Sequence, residues 1–441
     1  MTSSAYIPGT SWWRAPSPGT PVRATVSVPG SKSMTNRALV LSALATEPSR
    51  ITGALLSRDT SLMVQALRSL GCEIDLQPDP DDPSCACYFI RPTTQLVGGP
   101  IDCGLAGTVM RFIPPIAAMA NGRVYMDGDP HARSRPMGGV IAGLQQLGVN
   151  ISGSSLPLSI EGSGEVAGGE VTIDASASSQ FVSGLLMAAP RYHHGLVVNH
   201  DGGPLPSTPH ITMTVEMLRE VGAEVDTSVT HQWTVHPGPI SGHDWEIEPD
   251  LSNATPFIAA AMVTGGVVRI RNWPIQSTQA GDAIRYIVKQ MGARIEYAHS
   301  HYSHDLIVHA PPLGQLRGIN LDMSDIGELT PTVAAMAALA SDTSSLTGIG
   351  HLRGHETDRL SALADEINGL GGHCSERDDG LIIEPRPLRA GTWHSYADHR
   401  MATAGAIIGL VIPGVLIDDI DTTSKTLPNF DQRWHAMLKG E

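Results

Sequence analysis

Six segments along the chain share one pattern of polar and apolar positions. Each begins with a polar or glycine-containing turn and continues into a run of small and apolar residues, which predicts a buried helix entered through a turn. The segments start at Gly30, Gly104, Asp174, Asp250, Asp325 and Ala397. These starts lie 70 to 76 residues apart, so one supersecondary unit is predicted to occur six times. Helix N-termini carry unpaired N–H groups and a positive dipole end, so the turns are candidate sites for anionic ligands.

A second helix is predicted in five of the repeats. It is amphipathic and ends in an apolar residue followed by Gly, a pattern typical of a left-handed C-cap. The pairs are Leu70-Gly71, Leu147-Gly148, Val221-Gly222, Met291-Gly292 and Leu370-Gly371. A short alternating or β-branched strand follows each pair. One repeat is therefore predicted as strand, helix, strand, helix and two paired strands, and the fold class as α/β.

Length and composition are typical of a globular protein of two or three domains. The chain has 441 residues, of which 41% are hydrophobic and 17% are charged. A net charge of −15 argues against general nucleic-acid binding, because that function needs a basic face. Five cysteines without metal-ligand spacing indicate a reduced, cytoplasmic protein.

No targeting, membrane or metal-binding segment is predicted. The chain up to Pro21 lacks the apolar core of a secretory signal. The apolar stretch 401–417 is interrupted by Pro413-Gly414, so it predicts a buried helix followed by a strand rather than a membrane span. The histidines within 299–304 and 351–355 lack a framework of thiolates or carboxylates, so we expect exposed loop residues and no metal.

Two glycine-containing motifs resemble nucleotide-binding loops and are rejected. Gly30-Ser-Lys-Ser lacks both the Gly directly before the Lys and the Gly that a phosphate-binding loop has five residues earlier. Gly162-Ser-Gly164 leads into a predicted strand instead of a helix. Neither indicates a nucleotide site.

Basic residues recur inside or beside the six turns, although the chain as a whole is acidic. They are Lys32, Arg37, Arg111, Arg135, Arg359, Arg400 and Lys425. Several lie among small and apolar residues, where an unpaired charge would be costly to bury. Guanidinium groups bind phosphate and carboxylate oxygens bidentately. The set therefore predicts a small ligand with several negative charges, with Ser33, Thr108, Ser178, Ser179 and Gln180 as neutral donors.

Two carboxylates are candidates for acid–base chemistry. Glu328 lies at the mouth of the fifth repeat helix, and Glu356 lies near the start of another predicted helix. Each could instead cap a helix or complement its dipole, and residue type alone leaves both interpretations open. Beside a cationic pocket they could carry protons for an addition and an elimination.

Together these motifs resemble the 5-enolpyruvylshikimate-3-phosphate (EPSP) synthase family, the sixth enzyme of the shikimate pathway. They are Val28-Pro-Gly-Ser-Lys-Ser-Met-Thr-Asn-Arg37, Leu105-Ala-Gly-Thr-Val-Met-Arg111, Ser134-Arg-Pro136, Ser178-Ser-Gln180, Glu356-Thr-Asp-Arg359, Asp398-His-Arg400 and Ser424-Lys-Thr426. The resemblance runs in order from about residue 25 to 430. The versions around Glu328 and Glu356 resemble the actinobacterial branch.

The resemblance implies a two-domain, inside-out α/β barrel of six βαβαββ repeats, the enolpyruvyl transferase fold. Domain one would contain residues 1–30 and 250–441, and domain two residues 31–249. In this family the domains close over their ligands. The implied protein is a cytoplasmic monomer without a metal or organic cofactor, and its partners are its two small-molecule substrates.

The implied reaction joins shikimate 3-phosphate and phosphoenolpyruvate and releases phosphate. The residues implied to bind phosphoenolpyruvate are Lys32, Gly107, Arg135, Gln180, Arg359, Arg400 and Lys425. Those implied to bind shikimate 3-phosphate are Lys32, Ser33, Arg37, Ser178, Ser179, Gln180, Ser207, Glu328 and His355. Glu328 is the implied base for the 5-hydroxyl, and Glu356 and Lys32 are the implied proton carriers, with His399 nearby.

Some positions depart from the family pattern. Leu105 replaces a common Asn, and Glu328 replaces a common Asp. His355 replaces a common Lys, which removes a permanent charge and predicts pH dependence near neutrality. His210 and His351 replace a common Tyr and a common Asn at the shikimate side. Gly107 matches the small residue of glyphosate-sensitive relatives, so inhibition that competes with phosphoenolpyruvate is expected.

Two other functions remain as alternatives. The sister transferase that acts on UDP-N-acetylglucosamine has Asn after the first Lys and a reactive Cys in a mobile loop. Here Ser33 follows Lys32, and Pro130-His-Ala-Arg-Ser-Arg-Pro contains no Cys. A non-catalytic anion-binding protein would be expected to lack Lys32, Glu328 or Glu356.

Overall fold

The computed structural model describes residues 6–7, 10–80, 82–299 and 304–440. The chain forms two compact units. Unit 1 contains the chain up to Val28 together with the chain from Pro249 onwards, and unit 2 is Pro29–Glu248. Part of the region tested for a secretory signal, and His301, lie outside the described residues.

The helices alternate between two kinds, one of each kind per repeat. They are α1 Lys32–Leu44, α2 Arg58–Ser69, α3 Gly107–Ala117, α4 Gly138–Gln146, α5 Gln180–Ala188, α6 Pro209–Glu220, α7 Leu251–Thr264, α8 Ile284–Gln290, α9 Thr330–Ala338, α10 Arg359–Gly369, α11 His399–Gly409 and α12 Phe430–Lys439. Short 3₁₀ turns occur at Pro130–Ser134, Ala189–Arg191, Ala280–Ala283, Gly327–Leu329, Gly350–Gly354 and Ile420–Lys425.

The strands are short. They are β1 Trp13–Arg14, β2 Arg23–Val26, β3 Ser49–Leu55, β4 Glu73–Pro78, β5 Cys85–Arg91, β6 Pro100–Asp102, β7 Asn121–Asp127, β8 Asn150–Ser152, β9 Leu158–Ser163, β10 Gly169–Ile173, β11 Leu196–His200, β12 Val225–Asp226, β13 Gln232–Val235, β14 Asp244–Glu246, β15 Val267–Trp273, β16 Arg294–His299, β17 His304–His309, β18 Asn320–Asp322, β19 Ser344–Thr347, β20 His373–Arg377, β21 Gly380–Glu384, β22 Thr392–Trp393 and β23 Leu416–Ile417.

Five of the sheets have four strands in the same order. In β6-β7-β9-β8, for example, β6 is parallel to β7, and the hairpin of β8 and β9 adds antiparallel strands. This is the predicted βαβαββ repeat, which is confirmed. The remaining sheet, β1-β23-β22, has three strands in the described part of the chain.

Two repeats obtain their first strand from a distant part of the chain. In unit 2, β14 runs parallel to β3 and completes the sheet that follows α1. In unit 1, β2 runs parallel to β15 and completes the sheet that follows α7. The chain therefore passes from unit 1 to unit 2 after Val28 and returns after Glu248.

The helices predicted to be buried are α1, α3, α5, α7, α9 and α11. Every residue of α7 is buried, as expected for a helix of small and apolar residues without a polar face. The amphipathic helices α2, α4, α6, α8 and α10 end at the predicted glycines, each of which has a positive φ. The sixth helix, α12, also ends at such a residue, Gly440. The pattern missed it because Lys439 precedes the Gly.

Of the other predictions for individual segments, one is confirmed and one is wrong. Residues 401–417 form the buried end of α11 and the strand β23, as predicted. His304 is buried in β17, so the expectation of exposed loop histidines is wrong there. Over the described ranges, none of the helices is both long and apolar enough for a bilayer span. Within the same ranges, no group of His, Cys, Asp or Glu side chains could hold a metal ion.

Candidate active site

In unit 2, the N-terminal turns of α1, α3 and α5 lie together. Asn36 Nδ2 of α1 donates to Thr108 Oγ1 of α3 over 2.9 Å. Arg37 Nη2 of α1 donates to Ser183 Oγ of α5 over 3.4 Å. A side chain at Gly184 would collide with a carbonyl oxygen of α3, so these two helices also touch near their starts. Three sets of N-terminal N–H groups thus gather at one place, which favours anion binding.

Lys32 is the first residue of α1 and forms an ion pair. Its Nζ lies 3.2 Å from Asp59 Oδ2, and the Asp59 side chain is only 3% exposed. The lysine therefore has a fixed position beside the start of α1. Nothing in the sequence around Asp59 predicted this contact.

Gly107 begins α3 between two guanidinium groups. A Cβ atom at this position would lie 3.0 Å from Arg111 Nη1 and 3.1 Å from Arg135 Nη2. Arg135 Nη1 donates to the Leu105 carbonyl over 3.0 Å, and Arg111 Nη2 donates to the Pro136 carbonyl over 2.6 Å. Two positioned cations therefore lie against the first turn of α3, and a methyl group at Gly107 would require them to shift by a few tenths of an ångström.

Arg37 points into unit 2. The buried guanidinium donates to Thr214 Oγ1 over 2.8 Å, to the His210 carbonyl over 2.9 Å and to the Ser33 carbonyl over 3.0 Å. It also lies 5.2 Å from the centre of the Phe112 ring. Burial lowers its pKa to about 9, so it stays charged at neutral pH. Arg37 therefore links α1 to α6 through hydrogen bonds and fixes the position of the Ser33 carbonyl.

Hydroxyl and amide groups surround the start of α5. Ser178 Oγ accepts from the Gln180 backbone N–H over 3.3 Å, and Ser179 is the N-cap residue. Ser207 lies two residues before α6 with a φ of 54°, in the left-handed region that non-glycine residues rarely adopt. Such strain is often found at ligand-binding positions.

In unit 1, the N-terminal turns of α7, α9 and α11 also lie together. Thr255 Oγ1 of α7 and Thr332 Oγ1 of α9 are 3.2 Å apart. Glu328, in the 3₁₀ turn before α9, accepts a hydrogen bond from the Ser252 hydroxyl of α7 through Oε1. Its Oε2 lies 3.5 Å from Arg400 Nη2 of α11. Glu328 therefore connects all three helix starts and is still partly exposed.

A chain of four alternating charges lies beside this carboxylate. Lys425 Nζ is 2.6 Å from Glu356 Oε1, and Glu356 Oε2 is 3.2 Å from Arg359 Nη2. Arg359 also donates from Nε and Nη2 to both oxygens of Asp398, over 2.7 and 3.2 Å. Burial alone would lower the pKa of Arg359, but the charges of Asp398 and Glu356 outweigh it and raise the pKa.

Replacing Arg359 by Met is expected to destabilise unit 1. The Asp398 side chain is 0% exposed and would remain buried without its bidentate partner. Removing one member of a buried ion pair costs about 3–5 kcal/mol. The thermal unfolding midpoint measures the loss. Arg353→Met is the matched control, because Arg353 pairs with half-exposed Asp358 and Glu376, and surface pairs contribute about 0–1 kcal/mol. Equal losses in the two variants would contradict this prediction.

Two histidines lie close to the charge chain. His355 Nδ1 is 3.3 Å from Arg359 Nη1, so this nitrogen accepts and His355 is neutral in this arrangement. The His351 ring lies 5.7 Å from that of His355, and His351 Nε2 is 2.7 Å from the position of a Cβ at Gly327. Burial lowers the pKa of His351. Both are half-buried, so the expectation of exposed loop residues is wrong here as well.

A family model of EPSP synthase (3-phosphoshikimate 1-carboxyvinyltransferase) matches residues 16–434. The chain belongs to the EPSP synthase family. Enolpyruvyl transfer in the shikimate pathway, predicted from the motifs, is confirmed as the activity of this family.

Solved structures agree on the fold. An EPSP synthase structure from Acinetobacter baumannii is similar with a TM-score of 0.78 and 24% identity, covering 97% of this chain and 98% of that chain. The enolpyruvyl transferase NikO from Streptomyces tendae is similar with a TM-score of 0.72 and 16% identity, covering 95% of each chain. The predicted two-domain enolpyruvyl transferase fold is therefore confirmed.

The structure places the residues implied by the EPSP synthase resemblance in two groups. The unit 2 cluster consists of Lys32, Ser33, Gly107, Arg135, Ser178, Ser179 and Gln180, with Ser207 before α6. The unit 1 cluster consists of Glu328, His355, Glu356, Arg359, His399, Arg400 and Lys425. Arg37 faces inward from the first group. Asp398 was missed, although its place before His399 and Arg400 at a predicted helix start marks it as an N-cap.

Proposed function

We propose that the chain transfers the enolpyruvyl group of phosphoenolpyruvate to the 5-hydroxyl of shikimate 3-phosphate, and that the unit 2 cluster and the unit 1 cluster each contribute residues to this reaction. The observation that carries this assignment is that each cluster lies where three helix N-termini of its own unit gather. The cationic and hydroxyl side chains of the family motifs therefore lie at helix N-termini, which themselves favour anion binding.

Phosphoenolpyruvate carries a phosphate and a carboxylate, which need several positive charges. The proposed ligands are Lys32, Gly107, Arg135, Gln180, Arg359, Arg400 and Lys425. Lys32, Arg400 and Lys425 each face a carboxylate of their own unit. Those carboxylates hold the cations in position for the substrate anion.

Shikimate 3-phosphate offers a phosphate and ring hydroxyls. The proposed ligands are Lys32, Ser33, Ser178, Ser179, Gln180, Ser207, Glu328 and His355. Hydroxyl and amide donors suit a phosphate at the start of α5, where the positive end of the helix dipole also favours an anion. Arg37 is proposed to act on this substrate through Ser33, whose carbonyl it holds.

Glu328 is the proposed general base. It takes the proton of the 5-hydroxyl while that oxygen bonds to C2 of phosphoenolpyruvate, and a proton is added at C3. The C2–O bond to phosphate then breaks, and C3 loses a proton to restore the double bond. Glu356 and Lys32 are the proposed proton carriers at C3, with His399 nearby, and the enol phosphate supplies its own leaving group.

The test is phosphate release from the purified protein with shikimate 3-phosphate and phosphoenolpyruvate, together and separately. Release is expected only when both are present. Release with UDP-N-acetylglucosamine instead of shikimate 3-phosphate would assign the sister activity. Binding of shikimate 3-phosphate without release under any condition would contradict enzymatic function.

Replacing Gly107 by Ala is expected to raise the KM for phosphoenolpyruvate and to weaken glyphosate inhibition more strongly. The added methyl group lies within 3.2 Å of the Arg111 and Arg135 guanidinium groups and must displace them. The required shift is a few tenths of an ångström, so the loss is expected to stay below the roughly 100-fold effect of a displacement of about 1 Å. Inhibition constants measured against varied phosphoenolpyruvate test this. Gly138→Ala, at an open position that begins α4, is the control, and equal effects of both changes would contradict the prediction.

We further propose a monomer in the cytoplasm. All five cysteines are free thiols, which favours a reducing compartment. Sedimentation of the purified protein tests the monomer.

A further inference from the structure

The turn before α11 has an unusual backbone. Tyr396 and Ala397 both have a φ of 54°. In this left-handed region the Cβ atom crowds the backbone, so residues other than Gly adopt it rarely, and two in succession are rarer still. Such a conformation persists only where surrounding contacts hold it. The turn leads directly into Asp398, the N-cap of α11, and then into His399 and Arg400.

A buried carboxylate on α10 holds the first part of this turn. Glu366 Oε1 accepts from the Tyr396 hydroxyl over 2.8 Å and lies 3.0 Å from His394 Nδ1. Glu366 Oε2 accepts from the His394 backbone N–H over 2.9 Å. The residue is only 6% exposed, and a buried carboxylate is costly without donors. Its three contacts therefore fix where residues 394–396 lie.

The same helix holds the end of the turn. Arg359 binds both oxygens of Asp398 and lies seven residues before Glu366 on α10. Residues at this spacing lie on one side of a helix, so α10 contacts the turn at both ends. The Ser395 backbone N–H also donates to Asp418 Oδ1 over 2.8 Å. The Asp398 backbone N–H donates to the Ser395 carbonyl over 2.8 Å and closes the turn around Tyr396 and Ala397, so the contacts from α10 position a turn that is already hydrogen-bonded.

We propose that Glu366 is a positioning residue for enolpyruvyl transfer. By holding Tyr396 and Ala397 in the left-handed conformation, it sets the direction in which α11 presents His399 and Arg400. The inference rests on the proposed function, in which Arg400 binds phosphoenolpyruvate. Because Arg400 Nη2 lies 3.5 Å from Glu328 Oε2, a relaxed turn would move a substrate cation away from the proposed base.

The first test is steady-state kinetics of Glu366→Ala. The KM for phosphoenolpyruvate is expected to rise at least about tenfold, because a displacement of about 1 Å at a positioned cation has effects of this size. The affinity for shikimate 3-phosphate alone, measured by calorimetry, is expected to change less than about twofold, since most of its proposed ligands lie in unit 2. Asp365→Asn is the matched control, an exposed carboxylate next to Glu366 on α10. A KM for Glu366→Ala equal to that of the control overturns the proposal.

The second test removes the backbone strain at Ala397. Gly adopts the left-handed region without steric cost, so Ala397→Gly lets the turn keep its shape unaided. Alone it is expected to leave the KM within about twofold, and added to Glu366→Ala it is expected to recover at least about threefold. Absence of recovery overturns the proposal, because the loss would then reflect packing alone.

A third variant covers the case in which Glu366→Ala does not fold. Tyr396→Phe removes one hydrogen bond without leaving a cavity, and it is expected to raise the KM about threefold with kcat little changed. An unchanged KM in this variant overturns the proposal. If the wild-type protein itself transfers no enolpyruvyl group, the proposed function fails before any variant is compared.

Discussion

Replacing Lys32 by Met is expected to lower kcat/KM for phosphoenolpyruvate by about 1,000-fold, because it removes a positioned cation that also carries a proton. Met has a similar length but neither charge nor N–H donors. Lys32 begins α1, so its charge adds to that of the helix N-terminus. The measurement is initial-rate phosphate release with varied phosphoenolpyruvate.

Loss of Lys32 also leaves Asp59 buried without its ion-pair partner, which could lower activity through stability alone. The double variant Lys32→Met with Asp59→Asn separates the two effects. It is expected to unfold near the wild-type midpoint and yet remain inactive. Lys289→Met, at an exposed position in α8, controls for the loss of one positive charge. Recovery of activity in the double variant would contradict a direct role of Lys32.

Replacing Glu328 by Gln is expected to lower kcat by about 100- to 10,000-fold, the range for removal of a general base. Gln has nearly the same shape and can still accept from the Ser252 hydroxyl, which keeps the contact between α7 and the turn before α9, but it loses the ion pair with Arg400 of α11. The measurements are kcat and its pH profile, whose acidic limb should disappear with the carboxylate.

Two comparisons make this result interpretable. Glu328→Asp retains a carboxylate one methylene shorter, and it is expected to keep far more activity than Glu328→Gln. Ser252→Ala removes only the hydrogen bond to Oε1, and it is expected to cost about tenfold or less. A kcat for Glu328→Gln within tenfold of wild type would assign the base to another residue.

The repeat was predictable because its cues are local. A turn before a run of small residues and a Gly after an apolar residue each determine a helix end within a few positions. The exchange of β2 and β14 between sheets was not predictable from pattern. Each strand pairs with a partner that its neighbours in sequence do not indicate, as Val26 does with Ile270.

The candidate cations were predictable because charged residues stood among apolar ones, which implies a partner. The pattern of charged and apolar residues did not indicate which group each cation binds. Arg37 binds hydroxyl and carbonyl oxygens inside unit 2, whereas Arg359 binds Asp398 and Glu356. Both arginines are equally buried, and only tertiary contacts separate their roles. The support that Glu366 gives to the turn before α11 depends on backbone conformation, for which the residues Tyr396 and Ala397 give no cue.

The exchanged strands also affect the order in which the chain can fold during synthesis. Unit 2 contains all the strands of its three sheets, so it can form once residue 248 has left the ribosome. Strands β1 and β2 are synthesised before unit 2, but they cannot pair until their partner strands have been made, because Trp13 pairs with Ile417 and Val26 with Ile270. The segment from β1 to β2 is thus made before unit 2 but completes its folding after it, and Trp13, fully buried in the folded protein, lacks its partner strand on the nascent chain until Ile417 has been translated.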